Sequence, residues 1–307
     1  MSDLDTLLAE YTNKENLESS RRDMQSRNDI NSKVSKKGLI ENLDEPLTDI
    51  LPEFDGIQIL IDPKERSIKT SFAVDGRSVL YNLPLIFQHG NGWWYGCSLD
   101  WAGVVISRLR HGTSLEDYFV EYIWKKLGLS APFPRFNISR YPEYKARTLH
   151  GVRRTVVDDG IKLVSCDTWA FDNPEDRDDG SGLSSTTRDF VAVLADLVSS
   201  PPRLLKLETL TEMFTPQLFS DGPGVRMLLD LRVAWDNFAG PISAENVNHG
   251  LSGLLCTGPV PEIKQPGNML VWGRATNAIW WANKGLGVAE FLRLSKRRLG
   301  MRRLIRC

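Results

Sequence analysis

Helix signals and strand signals are segregated along this chain, and their order constrains the fold more than any single motif. Ser98–Leu109 opens on a serine suited to cap a helix and carries Ala102, Val105, Ile106 and Leu109 on one face. Ser114 and Asp117 have capping-box spacing and predict a helix with Leu115, Phe119, Tyr122, Ile123 and Leu127 inward, closed by Gly128. Ser185–Val198 repeats the helical stripe with Phe190, Val193, Leu194 and Leu197, and Pro201-Pro202 forbids its continuation. Strand signals are shorter. Ile57–Ile61 and Ser67–Val74 read as strands. Val152–Val157 and Ile161–Cys166 flank Asp159-Gly160, a hairpin turn signal. Ala278–Ala282, aromatic and β-branched, reads as a late strand. Mixed helices first and strands at the end predict an α+β protein and exclude regular βαβ alternation.

Composition narrows the class of partner. At 41% hydrophobic and 25% charged, the chain has the make-up of a globular protein, not of a disordered one. The net charge of −1 is a sum of unlike parts. Residues 293–307 hold seven Lys/Arg and no Asp or Glu, so the remainder has 31 basic against 39 acidic residues, a balance of −8. An acidic body argues against a nucleic-acid partner, and the basic tail reads as a solvated end. No run of about 18 apolar residues suggests a membrane span, and no secretory signal is visible, so the expected location is cytoplasmic. Cys97, Cys166, Cys256 and Cys307 are scattered, with no C-x-x-C pair, and the histidines lie far apart in sequence. Neither a disulfide framework nor a zinc site is expected.

Two segments are candidates for chemistry. In Gly92-Trp93-Trp94-Tyr95-Gly96-Cys97-Ser98 a tyrosine stands just before a helix start. A helix N-terminus favours an anion, so this phenol is placed to act as a base; the alternative is an aromatic plug at the helix entry. In Val271-Trp272-Gly273-Arg274 a glycine beside a strand would let backbone N–H groups approach a ligand, as an oxyanion hole requires. The alternative is a turn beside a buried aromatic.

Taken in order, these pieces resemble a known family. Tyr95-Gly96-x-x-x-Asp100-Trp101-Ala102-Gly103, then Ser114-Leu115-Glu116-Asp117-Tyr118 and Lys126-Leu127-Gly128-Leu129, are similar to segments of the esterase and transesterase branch of the serine β-lactamase/penicillin-binding-protein superfamily. Gly182-Leu183-Ser184-Ser185-Thr186 with Asp189, Leu210–Leu218, Trp272-Gly273-Arg274 with Asn277 and Trp280-Trp281, and Asn42–Phe54 resemble further segments of that branch. The lovastatin-type fungal acyltransferases are the relatives these versions suggest. The resemblance implies an α+β, β-lactamase/transpeptidase-like fold, with a helical subdomain packed on an antiparallel sheet that is here incomplete. It places one such domain over 1–292, the helical half about 13–221 and the sheet half about 1–12 plus 222–292, followed by the tail 293–307.

The chemistry the resemblance implies is covalent. A serine attacks an ester, thioester or amide, a lysine and a tyrosine move its proton, and the acyl group passes to water or an alcohol. On this basis Tyr95 is the base or proton shuttle, Trp272 and Gly273 line the acyl site, and Ser20 is the nucleophile by spacing. The implied substrate is a small ester or acyl thioester, of natural-product type, with a carrier protein as one route of delivery; no cofactor and no metal are implied. The sequence departs from the pattern at Asp23, where the family lysine should stand. It also lacks a recognisable N-terminal strand pair and the segment expected before Leu83-Pro84-Leu85. After Val288 the tail stands where a strand and a C-terminal helix are expected. Three readings follow: an acyltransferase or esterase, a non-catalytic relative that keeps the scaffold, and a non-covalent catalyst in which Tyr95 acts alone.

Overall fold

Strands whose residues are apolar without alternation must be covered on both faces, and two runs in the C-terminal third meet that condition. The computed structural model describes residues 47–54, 87–88, 90–96, 98–136, 138–149, 151–157, 160–166, 182–273, 278–293 and 296–297. The predicted strands Ile57–Ile61 and Ser67–Val74, and Ser20 with Asp23, lie outside these residues. A five-stranded antiparallel sheet has the order β5 (Val247–His249), β6 (Leu254–Cys256), β7 (Met269–Gly273), β8 (Ala278–Asn283), β9 (Val288–Arg293).

Helices lie on both faces of this sheet. Leu255, Leu270 and Ala282 pack with Leu194, Leu197, Leu210 and Met213. Those residues belong to the helices Thr187–Leu197 and Leu207–Met213, here α4 and α5. Leu254, Cys256, Met269 and Val271 pack on the opposite face with Leu228, Trp235 and Ala239. Those come from α6 (Pro223–Asp230) and α7 (Arg232–Ala239). Adjacent residues of β6 and β7 thus alternate between two cores, and all three residues of β6 are fully buried. At about 1.5–3 kcal/mol for each fully buried large apolar side chain, these strands are among the main sources of stability.

The helices predicted from caps form as expected, with local differences. The first, α1, spans Ser98–Leu109. Leu51, Phe54 and Trp101 pack around its Val105, and Arg108 pairs with Glu53, so the preceding apolar segment fixes its position. Ser114 caps α2 (Leu115–Phe119), accepting from the Asp117 amide at 3.0 Å. That helix does not run on as α-helix: Val120–Trp124 is a π-helical turn, with Trp124 buried edge-on against Phe119. Gly128, at φ +76°, closes it as predicted. A short α3 spans Pro142–Lys145. The segment read as Ser185–Val198 forms α4 over Thr187–Leu197 with Thr186 as its cap; the Thr186 hydroxyl accepts from the Asp189 amide at 3.1 Å and donates to the Asp189 carboxylate at 2.7 Å.

The predicted hairpin is β2 (Gly151–Val157) with β3 (Gly160–Cys166) in full antiparallel register. A two-stranded pair joins β1 (Arg135–Phe136) to β4 (Leu183–Ser184). One expectation is corrected. The chain after Val288 does not pass directly into a basic tail: Val288–Arg293 forms β9, antiparallel to β8. Its Ala289 and Phe291 point to the core shared with α4, and Phe291 meets Phe190 at 4.8 Å between ring centroids. Beyond it Lys296–Arg297 (β10) pairs in parallel with β2.

Candidate active site

The segment Gly92–Tyr95 precedes α1 and has no regular secondary structure. Gly92 is wedged: a Cβ there would lie 2.7 Å from Met227 Sδ of α6 and 2.7 Å from the Phe87 ring. Trp93 turns inward onto the sheet, Trp94 turns outward at 55% exposure, and Tyr95 turns back over the end of β7. Its ring stacks on Trp272 at 5.9 Å and 19°. Tyr95 is 67% exposed, so it is not an aromatic plug at the helix entry. The fold therefore joins the two segments that sequence reading singled out separately, Tyr95 and Trp272-Gly273. Trp272 is registered with Trp280 and Gly273 with Ile279 of β8.

Trp272 is the hub of the site. Trp93 meets it edge-on at 6.5 Å, Phe238 of α7 at 5.7 Å, and His249 of β5 at 5.7 Å. Trp93 also contacts His249 at 5.3 Å. The result is an apolar aromatic wall with one exposed phenol.

Sequence reading passed over His249, because a lone histidine in a short strand carries no periodic signal. Its Nδ1 lies 2.5 Å from the Gly250 carbonyl, which can only accept, so Nδ1 carries the proton. Burial pushes its pKa down to about 4, and the Gly250 bond opposes that shift in part, so the ring is neutral at pH 7. The strand that carries it is fastened at its edge. Gln217 N donates to His249 O at 2.9 Å, and Asn248, buried, accepts from Leu218 N and donates to Leu218 O.

Gly273 also has a packing reason for being glycine. A Cβ built there would lie 2.7 Å from Cδ1 and 2.9 Å from Cγ of Phe238. The missing side chain makes room for a protein ring on the α7 side of the strand. Ser20 lies outside the described residues, so the described part of the site consists of the aromatic wall, Tyr95 and the end of β7. Among the described residues no three His, Cys, Asp or Glu side chains converge on a metal position. No described helix is long and apolar enough to cross a membrane.

No protein-family model matches the chain. It is 51% identical over 294 residues to acyltransferase calJ of Penicillium decumbens, a match covering 83% of this chain and 69% of that protein. The chain belongs to the β-lactamase-like acyltransferase and esterase superfamily. Lovastatin esterase of Penicillium rubens, in the same superfamily, is 28% identical over 216 residues, covering 67% of this chain and 51% of that protein. Among solved structures, simvastatin synthase from Aspergillus terreus superposes with a TM-score of 0.60 at 25% identity, over 70% of this chain and 52% of that one. EstCE1, a hydrolase with promiscuous acyltransferase activity, superposes with a TM-score of 0.51 at 15% identity and supports the fold alone. The chain thus spans about half the length of lovastatin esterase and of simvastatin synthase. This β-lactamase-like superfamily assignment accounts for the α+β architecture, with helices packed on an antiparallel sheet.

Proposed function

We propose that the chain transfers or hydrolyses the acyl group of a small, natural-product ester or thioester through an acyl-enzyme. The stack of Tyr95 on Trp272 carries this reading. It puts an exposed phenol over the strand end whose backbone would bind an oxyanion, beside an aromatic wall suited to an apolar acyl chain. Relatives named as methylbutanoyltransferases, acting on ML-236A carboxylate in Penicillium citrinum and on monacolin J acid in Aspergillus terreus, support a short, branched acyl group.

In the proposed cycle Ser20 Oγ bonds to the acyl carbon while its proton passes to Tyr95 Oη, whose own hydroxyl proton is released toward the leaving group. The bond from that carbon to the leaving oxygen or sulfur breaks, and the proton goes to the leaving group. Water or an alcohol then takes the acyl group and returns a proton to Ser20. Trp272 and Gly273 line the acyl site, and the proposed location is cytoplasmic. Delivery of the acyl group by a carrier protein belongs to the same proposal.

A second reading, a non-catalytic relative, is favoured by one observation. Asp23 stands at the spacing of the proton-relaying lysine, and a carboxylate cannot supply that cation to Ser20. Intact mass after incubation with a short-chain p-nitrophenyl ester and an acyl thioester separates the two. An acyl adduct that is lost in Ser20→Ala supports the first reading. No adduct, with turnover at background, establishes the second.

A further inference from the structure

The interlock of Phe238 with Gly273 does more than fill space. We propose that Phe238 is a positioning residue that fixes the end of β7 and, through Trp272, the Tyr95 ring. This rests on the acyl-enzyme reading above. Phe238 touches two consecutive residues of the motif in different ways. Its ring occupies the volume where Gly273 lacks a Cβ, and it meets the Trp272 ring in a T-shaped contact at 65°. Trp272 in turn carries Tyr95. One side chain on a helix thereby bears on the backbone that would donate to an oxyanion and on the phenol that would move a proton.

The helix behind Phe238 is held firmly enough to act as a brace. Trp235, one turn earlier on α7, is buried and donates from Nε1 to Leu228 O at 2.9 Å. Arg232 pairs with Asp236 at 3.0 Å, donates to Ile242 O and lies 5.3 Å over the Trp235 ring. Gly240, at φ +85°, ends the helix against Ile263 of the neighbouring loop. Phe238 itself is only half-buried and sits at the margin of the core under α6 and α7. Its loss would leave the centre of that core intact while freeing the strand end. A misplacement of about 1 Å in a catalytic geometry can cost on the order of 10²-fold in rate.

The test uses Phe238→Ala, Phe238→Leu, Gly273→Ala and the double variant Gly273→Ala/Phe238→Ala. Steady-state hydrolysis of p-nitrophenyl butyrate, thermal midpoint and near-UV circular dichroism are measured on each. We expect Phe238→Ala to lower kcat at least about tenfold, because the brace acts on the reacting groups as well as on the Trp272 wall. Its near-UV spectrum should change as the Trp272–Tyr95 stack loosens, and Phe238→Leu should recover part of both. Gly273→Ala should lower the midpoint, and removing the ring in the double variant should restore it to that of Phe238→Ala. A Phe238→Ala protein with unchanged kcat and near-UV spectrum overturns the proposal, as does a double variant no more stable than Gly273→Ala. If the parent protein itself shows no turnover, the acyl-enzyme reading fails, and the spectrum and the midpoints still decide whether Phe238 holds the strand end.

Discussion

Tyr95→Phe separates chemistry from packing at the proposed site. The substitution removes only the phenolic oxygen, from a side chain that is 67% exposed. The ring stacked on Trp272 is retained. Surface substitutions that spare packing change stability by about 0.5 kcal/mol or less, so the thermal midpoint should hold within a few degrees. If Tyr95 moves the proton of the nucleophile, turnover should fall by about 10²–10⁴, the usual worth of a positioned acid or base. That range corresponds to about 2.7–5.4 kcal/mol of barrier, at 1.36 kcal/mol per decade. Tyr95→Ala also removes the stack and should lose a further 0.5–1.5 kcal/mol, roughly, of aromatic interaction. The assay is release of p-nitrophenol from a short-chain ester, with kcat/KM compared across the three proteins, and urea unfolding of each. Turnover in Tyr95→Phe within about twofold of the parent would refute the proton-transfer role. A large fall in stability would instead show that the hydroxyl has a packing partner.

Other consequences can be checked on the same protein. Because burial holds the His249 pKa at about 4 against an ordinary 6.5, the unfolded chain binds more protons between those values, and stability must drop as pH falls from 6.5 to 4. The window is worth on the order of 3 kcal/mol, at 1.36 kcal/mol per pH unit. Urea midpoints at pH 7.5 and 4.5 should differ less in His249→Asn than in the parent; an equal difference would show that other groups carry the effect. Burial also raises the Cys256 thiol to about 12, with Gln265 opposing in part. Alkylation at pH 8 followed by peptide mapping should leave Cys256 unmodified until urea is added, and rapid labelling of the native protein would contradict its burial. Thr186→Ala removes the acceptor for the Asp189 amide and should cost about 1 kcal/mol. Ser185→Ala should be near neutral, and the reverse ranking in urea unfolding would show that the cap was misassigned.

Much of the fold was legible because it is encoded locally. Ser114 with Asp117, Gly128 after the second helix, and the matched runs around Asp159-Gly160 each specify a turn or terminus within a few residues. Local pattern is ambiguous where two local solutions compete. Ser185 and Thr186 both offer a hydroxyl, and only the reach to the Asp189 amide selects Thr186. Leu254-Leu255-Cys256 and Met269–Val271 show no alternation, because both faces of those strands are buried; a helix segment would look the same. Residues 288–293 run into a cationic tail, and the alternation that turns Ala289 and Phe291 toward the core is too short to stand out beside it.

The site divides along the same line. By itself the sequence determined that Tyr95 precedes a helix, that Trp272-Gly273 lies beside the late aromatic strand, and that Asp23 stands where a lysine is expected. It also carried the resemblance that the match to acyltransferase calJ established. Only the tertiary structure decided that Tyr95 and Trp272 stack, that His249 is a half-buried neutral ring against Trp272, and that Gly273 leaves room for Phe238. Periodicity and caps report which face of an element is buried and where it ends. Which distant faces meet is settled by packing between elements, where volume exclusion and desolvation act across gaps in sequence that no local pattern records.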